Sequence, residues 1–359
     1  MNIIKNCPVM TEDVDIAEKI FGPLMSSLKG KSTRPKAKPV RSDLVEIPDE
    51  LIEKHRDLEL CMDTAKINGL LFLALIDRTI RLRSVVYLKS TKHKEYHKAL
   101  DVVLREYNGA GFTIKRIHCD LEYKGMFEEI KDSMDIDMNY ANMGDHVPEA
   151  ERNIRTIKER VRAAFHRLPF QSLPREMVKA LVRDTITKMN LFPVKGGILK
   201  YYSPRMIMRK KSIDYSKDLK HEFGTFGQAN AKSTKTQKER TVDAIYLRPS
   251  DNMQGGHEVM NIHTGQVIPR TRFVPLPITR VAREAVEALT ERQGMPGGIC
   301  FETKRGNPLH DADWIAGVDY QENGNEYDDD DYDEDGNFDE DYQDDDETES
   351  ENDDDEVNK

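Results

Sequence analysis

The sequence predicts an α/β protein: a mixed sheet led by a hairpin and covered by helices, then a smaller all-β module and an acidic tail. Three observations predict it. From Leu58 onward, apolar runs alternate with helix-period segments in the order β-β-β-α-β-α-β-α. An Asn68-Gly69 pair between the first two runs is a hairpin signal. Beyond residue 240, three short runs are separated by tight turns at Gly255-Gly256 and Thr264-Gly265.

The elements follow in order. Residues 1–50 form a lead-in with one helix, Thr11–Phe21, for which Thr11 is the expected N-cap and Glu12 and Asp13 fill the first turn. The basic stretch Lys29–Pro39 reads as a linker, a phosphate-tracking arm or a nuclear localisation signal. The core spans 51–195. Its strands are Leu58–Asp63, Leu70–Asp77, Leu82–Lys89, Phe112–Asp120 and Ile136–Tyr140. A helix over His93–Tyr107 puts Tyr96, Leu100, Val103 and Leu104 on one side and stops at Asn108-Gly109; a short one covers Met126–Met134. A loop, Ala141–Ala150, leads into a basic helix over Glu151–Leu168, with a further helix over Arg175–Asn190.

Residues 196–280 hold a Tyr- and base-rich connector, a loop over Gly227–Glu239 and strands at Val242–Arg248, Glu258–His263 and Gln266–Phe273. A helix over Thr279–Gln293 and a Gly-Pro-rich exit occupy 281–318, and the tail runs over 319–359.

Charge is strongly partitioned. Asp plus Glu number 65 against 54 Lys plus Arg, a formal −11, but 23 of those acids and only one lysine lie in 319–359. The rest therefore has 53 bases against 42 acids, a balance suited to a polyanion such as DNA or RNA. The tail has too few apolar residues to offset the entropy of ordering, so disorder is expected, either as a solvated terminus or as a chromatin-contacting or nucleic-acid-mimicking segment.

Cys7, Cys61, Cys119 and Cys300 are far apart and include no Cys-x-x-Cys pair, which argues against a zinc knuckle or a disulfide framework. The longest apolar run, Gly69–Ile76, is too short to span a bilayer. A soluble intracellular protein with no membrane partner is expected.

Asp63 and Asp120 each end a strand, and Glu151 opens the basic helix. Strand ends on one sheet can converge, and hard divalent cations prefer carboxylate oxygens. With 65 acids in the chain, coincidence is a serious alternative. On the basic helix Ile154, Ile157, Val161, Phe165 and Leu168 form an inward stripe. Glu151, Arg155, Lys158 and Arg162 form a second column, expected on an exposed face where it would suit a phosphate backbone.

The motifs carry a resemblance. Ile117-His118-Cys119-Asp120-Leu121-Glu122-Tyr123 resembles the second-aspartate strand of retroviral-type integrases, and Leu60-Cys61-Met62-Asp63 before a hairpin resembles the first. Glu149-Ala150-Glu151-Arg152-Asn153-Ile154-Arg155 resembles their glutamate helix. Tyr202-Ser203-Pro204, Phe223-Gly224 and His263–Ile268 are similar to segments downstream of the core in copia-type elements. The resemblance, over about residues 7–280, is to the integrase section of a copia-type LTR-retrotransposon polyprotein.

It implies an RNase H-like core with a mixed five-stranded sheet and flanking helices, plus an SH3-like β domain. It further implies two Mg²⁺ or Mn²⁺ ions on Asp63, Asp120 and Glu151, with 3′-end processing and strand transfer into target DNA; the cysteine spacing leads us to expect no zinc. DNA contacts at Arg152, Arg155, Lys158 and Arg162, a homo-oligomer, and action in the nucleus after a cytoplasmic particle stage are implied too.

The sequence departs from the pattern at Leu121-Glu122-Tyr123, where Gly-Glu-Phe is usual, and at Glu149-Ala150, where Asn-Gly is common. The upstream His/Cys zinc module is absent. A decayed nucleic-acid- or chromatin-binding relic and a nuclease of the same fold are the competing readings.

Overall fold

The computed structural model describes residues 8–33, 44–142, 147–231, 237–250 and 255–302. The acidic tail, Cys7, His146 and most of the basic linker lie outside the described residues. In chain order the elements are α1 (Thr11–Phe21), α2 (Met25–Lys31), α3 (Asp49–Lys54), β1 (Asp57–Ile67), β2 (Leu70–Asp77), β3 (Arg83–Leu88), α4 (His93–Ala110) and β4 (Thr113–Cys119). A 3₁₀ turn at Leu121–Met126 precedes α5 (Phe127–Met134), β5 (Asp137–Tyr140), α6 (Pro148–Phe165), α7 (Arg175–Met189), α8 (Pro204–Arg209) and α9 (Tyr215–Asp218). β6 (Phe226–Asn230), β7 (Thr241–Pro249), β8 (His257–Asn261), β9 (Val267–Arg270), β10 (Phe273–Pro275), α10 (Arg280–Arg292) and β11 (Phe301–Glu302) complete the described chain.

The main sheet is mixed, in the order β3-β2-β1-β4-β5. β1, β2 and β3 are antiparallel neighbours, whereas β4 runs parallel to β1 and β5 parallel to β4. Asn68 and Gly69 take φ of 48° and 73° between the paired residues Ile67 and Leu70. Two consecutive positive φ values are what a two-residue hairpin needs to match strand twist. This turn is also held from the far end of the chain. The Asn68 side chain accepts from Cys300 N at 2.6 Å and donates to Gly298 O at 3.1 Å, while β11 pairs with β1 at Lys66 and Ile67.

Strand alternation sorts β1 between two cores. Leu58, Leu60 and Met62 join Leu100, Val103 and Tyr107 of α4; Ala65 and Ile67 join Ile154, Ile157 and Val161 of α6. The second of these cores continues through Leu181 and Val182 of α7 to Ile245 and Leu247 of β7 and Val286 of α10. The second sheet, antiparallel in the order β10-β6-β7-β8-β9, is thus packed through the same apolar interior.

Several expectations are corrected. Met10, not Thr11, caps α1, and its N–H donates to the Asp13 carboxylate at 2.8 Å. α4 runs to Ala110, where Gly111 at φ 97° takes the left-handed cap that Asn108-Gly109 was expected to supply. α6 begins at Pro148, whose missing N–H costs nothing in a first turn. The loop expected over Gly227–Glu239 contains most of β6, and the run Gln266–Phe273 is two strands on opposite edges of its sheet. Between them the chain crosses over at Arg272, whose N–H donates to Asn230 Oδ1 at 3.1 Å.

Asp77, at the end of β2, is fully buried and organises the next turn. Its carboxylate accepts from the N–H groups of Thr79 (2.9 Å), Ile80, Arg81 (3.2 Å) and Leu82 (2.9 Å), and from Tyr107 Oη (3.1 Å). Burial raises its carboxyl pKa while the hydrogen bonds pull the other way.

Candidate active site

Parallel pairing makes neighbours of β1, which carries Asp63, and β4, which Asp120 follows. β1 and β4 are in register at Leu60 with Ile117 and at Cys61 with His118. The ladder ends there; Asp63 lies two residues further along β1, and Asp120 two residues past His118, just beyond the end of β4. On β1 the alternation puts Asp63 on the face of Cys61 and Ala65, the side covered by α6. Asp63 is 8 % exposed. Between the two strands, burial pushes the Cys119 thiol up to about 12, and the charges of Asp120, Glu122 and Asp63 act in the same direction.

Glu151 stands in the first turn of α6, exposed. Its neighbour Ala150 packs against Cys61, two residues before Asp63 on β1, so the start of α6 lies over the same face.

The basic column is not the uniform exposed face that was expected. Arg152 and Arg155 are exposed, but Lys158 is half-buried. Burial lowers its pKa, while the charge of Asp63 acts to raise it. One turn on, the Arg162 guanidinium stands 5.2 Å from the Phe301 ring of β11. The column therefore meets the carboxylate face at Lys158 and the β11 segment at Arg162.

Sequence reasoning missed the hydroxyl groups around Asp63. Tyr123 Oη lies 2.6 Å from Thr64 Oγ1 and donates to Asp63 Oδ1 at 3.4 Å; Thr64 N–H donates to Asp63 Oδ1 at 2.6 Å. Tyr96 Oη is 3.2 Å from the same Thr64 hydroxyl. Burial, then the Asp63 charge, raises the Tyr123 phenol pKa. The signal was visible as the substitution of Tyr for Phe in the motif, and its meaning is a hydroxyl aimed at the first aspartate.

A charged network lies lower on this face. Glu59 receives His118 Nε2 at 2.8 Å, Arg116 at 3.3 Å and Arg78 at 3.4 Å, and Arg78 also reaches Glu149 at 2.7 Å. The His118 hydrogen bond is the largest effect on the Glu59 carboxyl, whose pKa is lowered. These contacts tie β1, β4 and the end of β2 to the first turn of α6, and so fix where Glu151 stands.

Carboxylate oxygens are suitable donors for Mg²⁺ or Mn²⁺, but position decides whether they can act together. Among the described residues no three His, Cys, Asp or Glu side chains gather closely enough to hold a metal ion. In this conformation Asp63, Asp120 and Glu151 do not form a metal cage, and the charges of Lys158 and Asp63 act on one another.

No family model matches the chain, and no curated protein matches it. Among solved structures, the catalytic core domain of BIV integrase aligns at 14% identity and a TM-score of 0.32, over 42% of this chain and 93% of that one. A chain of the simian T-cell lymphotropic virus intasome in complex with PP2A regulatory subunit B56 gamma aligns at 13% identity and a TM-score of 0.33, over 74% of this chain and 92% of that one. Likeness at these scores assigns neither a function nor a family.

Proposed function

We propose that this chain is a DNA-cutting and DNA-joining protein of the integrase type, of copia-type retrotransposon origin. The observation that carries the reading is the parallel pairing of β1, which holds Asp63, with β4, which Asp120 follows, on the face covered by the helix that bears Glu151. The hairpin-led mixed sheet and the three quoted motifs support it. In this reading Arg152 and Arg155 steer a phosphate backbone toward the acidic face, and the protein acts on DNA as a homo-oligomer in the nucleus. The second sheet serves as the SH3-like module, and the acidic tail contacts chromatin.

Divalent metal, if held by Asp63, Asp120 and Glu151, would supply polarisation of phosphoryl oxygen and activation of water. The carboxylates as they stand do not fit it, so their approach on metal binding is the first thing to measure. The test is strand transfer of a labelled duplex into plasmid DNA with Mg²⁺ or Mn²⁺. Products that depend on metal and vanish in Asp120→Asn are expected; products unchanged without metal or in that variant sink the reading.

One observation favours a second reading, a nucleic-acid-binding relic without turnover. Lys158 supplies a positive charge beside Asp63 from within the chain. Salt-sensitive DNA binding with no strand transfer under any divalent metal would establish that reading instead.

A further inference from the structure

On the side of α6 away from Glu151, a cleft of about 560 Å³ opens between α6 and α7. Arg160 lies nine residues after Glu151, about two and a half helical turns, and so faces the opposite direction. The volume is within the range that holds a small organic ligand, roughly 300–1,000 Å³. Four cations line it. Lys188 is closed onto Asp184 at 2.6 Å, and Arg167 onto Glu222 at 2.7 Å. Arg83 and Arg160 have no acidic partner among the described residues.

Arg83 is the more unusual of the two. It is half-buried, and its Nε–H donates to Asn153 Oδ1 at 3.1 Å. Burial lowers its pKa, and the charges of Arg81 and Arg160 push the same way. A partly desolvated guanidinium with two cations acting on it, beside carboxylates already closed onto Lys188 and Arg167, has room for an anion.

Two buried polar atoms are also unsatisfied here. Thr185, 7 % exposed and lining the cleft, has no hydrogen-bond partner for Oγ1 among the described residues; Asn153, 2 % exposed and bonded to Arg83, has none for Nδ2. Buried polar groups in a folded protein are nearly always paired, so these mark a place where a polar ligand is expected. Ala164, Leu168 and Met189 add apolar lining, and Phe192, also lining the cleft, leaves 61 % of its surface exposed. Charged donors and an exposed aromatic ring lining one cleft match the two chemistries of a nucleotide.

We infer that this cleft binds a nucleoside phosphate, with the phosphate on Arg83 and Arg160 and the base on Phe192. The ligand is either a free nucleotide or the terminal unpaired nucleotide of a strand; the chemistry is shared. The site is distinct from the carboxylate face and does not depend on the function proposed for it.

The experiment is equilibrium dialysis of the full chain against radiolabelled AMP, a 5′-phosphorylated single-stranded oligonucleotide, and adenosine. Arg160→Glu is the test variant, because this residue is exposed and its replacement leaves the core intact. Loss of a charge-assisted contact should weaken binding by about tenfold to a hundredfold. Phe192→Ala should weaken it about tenfold. Arg105→Glu, a charge reversal on α4, and Asp120→Asn should leave it unchanged.

AMP binding that falls in Arg160→Glu supports the inference with a free nucleotide as ligand. Oligonucleotide binding that falls in Arg160→Glu without AMP binding supports it with a strand end. Binding of neither, adenosine binding as well as AMP, or an equal loss in Arg105→Glu overturns it. Far-UV circular dichroism of each variant verifies its fold.

Discussion

Replacing Asp77 with alanine tests how the chain turns from β2 into β3. Five hydrogen bonds end on this carboxylate, and three of the donors, Ile80 N, Leu82 N and Tyr107 Oη, are in buried pairs. The Thr79 and Arg81 N–H groups are only partly buried and can recover water. Leaving a buried donor unsatisfied costs about 1–3 kcal/mol, so three cost roughly 3–9 kcal/mol. Removing a desolvated carboxylate returns part of that, which leaves a net loss of about 4 kcal/mol. Asparagine keeps one oxygen for Thr79, Ile80 and Arg81, and the Tyr107 hydroxyl can turn to accept. Only Leu82 N–H then faces another donor, so Asp77→Asn should cost about 1–2 kcal/mol. Guanidinium unfolding of both variants at neutral pH, followed by circular dichroism, gives the two losses. An alanine variant within 1 kcal/mol of the parent, or an asparagine variant as unstable as alanine, refutes this account.

Three further outcomes are expected. Gly227→Ala would place a Cβ 2.2 Å from Val274 O and 2.7 Å from the Phe273 ring; it should cost about 2 kcal/mol, read as a lower denaturant midpoint, and an unchanged midpoint would show that β10 gives way freely. His221 has its pKa lowered by burial and then by the Lys220 charge, so the unfolded chain takes up this proton at a higher pH than the folded one. Stability should therefore fall as pH drops below about 6.5, and the drop between pH 7.5 and 5.5 should shrink in His221→Phe. Lys158→Met removes the cation beside Asp63 and should tighten Mn²⁺ binding about tenfold by calorimetry; weaker binding would show that Lys158 holds the carboxylates in place rather than opposing a metal.

The fold was legible where one physical demand dominates a short stretch. Asn68-Gly69 announces its turn because few other pairs tolerate two positive φ values. α10 was read to within a residue at each end, since Thr279 caps it by accepting from Ala282 N and its apolar positions keep a single period. β6 was hidden because Gly227-Gln228-Ala229-Asn230 has no β-branched residue. Its glycine is there for close approach to Phe273 and Val274, and Gln228 is buried because it bonds Thr241 and Asp243. β11 was hidden because two residues carry no period; their pairing depends on a hairpin more than two hundred positions earlier.

At the candidate site, local pattern placed Asp63 on the first strand and Asp120 at the end of another; it missed that the first strand runs on to Ile67, because its pairing with β2 continues to the hairpin. Asp77 ends β2 and spends its oxygens on its own turn, whereas Asp63 was expected to end its strand but lies within β1, which stays paired with β2 as far as Ile67. Nothing local separates the two, because the difference lies in Tyr107 and in the backbone of residues 79–82. Lys158 was read as a surface cation because its column is amphipathic; its burial follows from the packing of α6 against β1, which periodicity does not encode.

The clasp of Cys300 on Asn68 joins residues 232 positions apart. A ribosome adds about 5–20 residues per second, so the hairpin waits roughly 12–46 s for the strand that completes its edge. During that interval the end of β1 presents unpaired backbone N–H and C=O groups, the usual template for unwanted strand pairing. Synthesis of this chain therefore has a vulnerable period that closes only when residue 302 has left the exit tunnel. Yield in cells should depend on chaperone supply during translation more than on the stability of the finished fold.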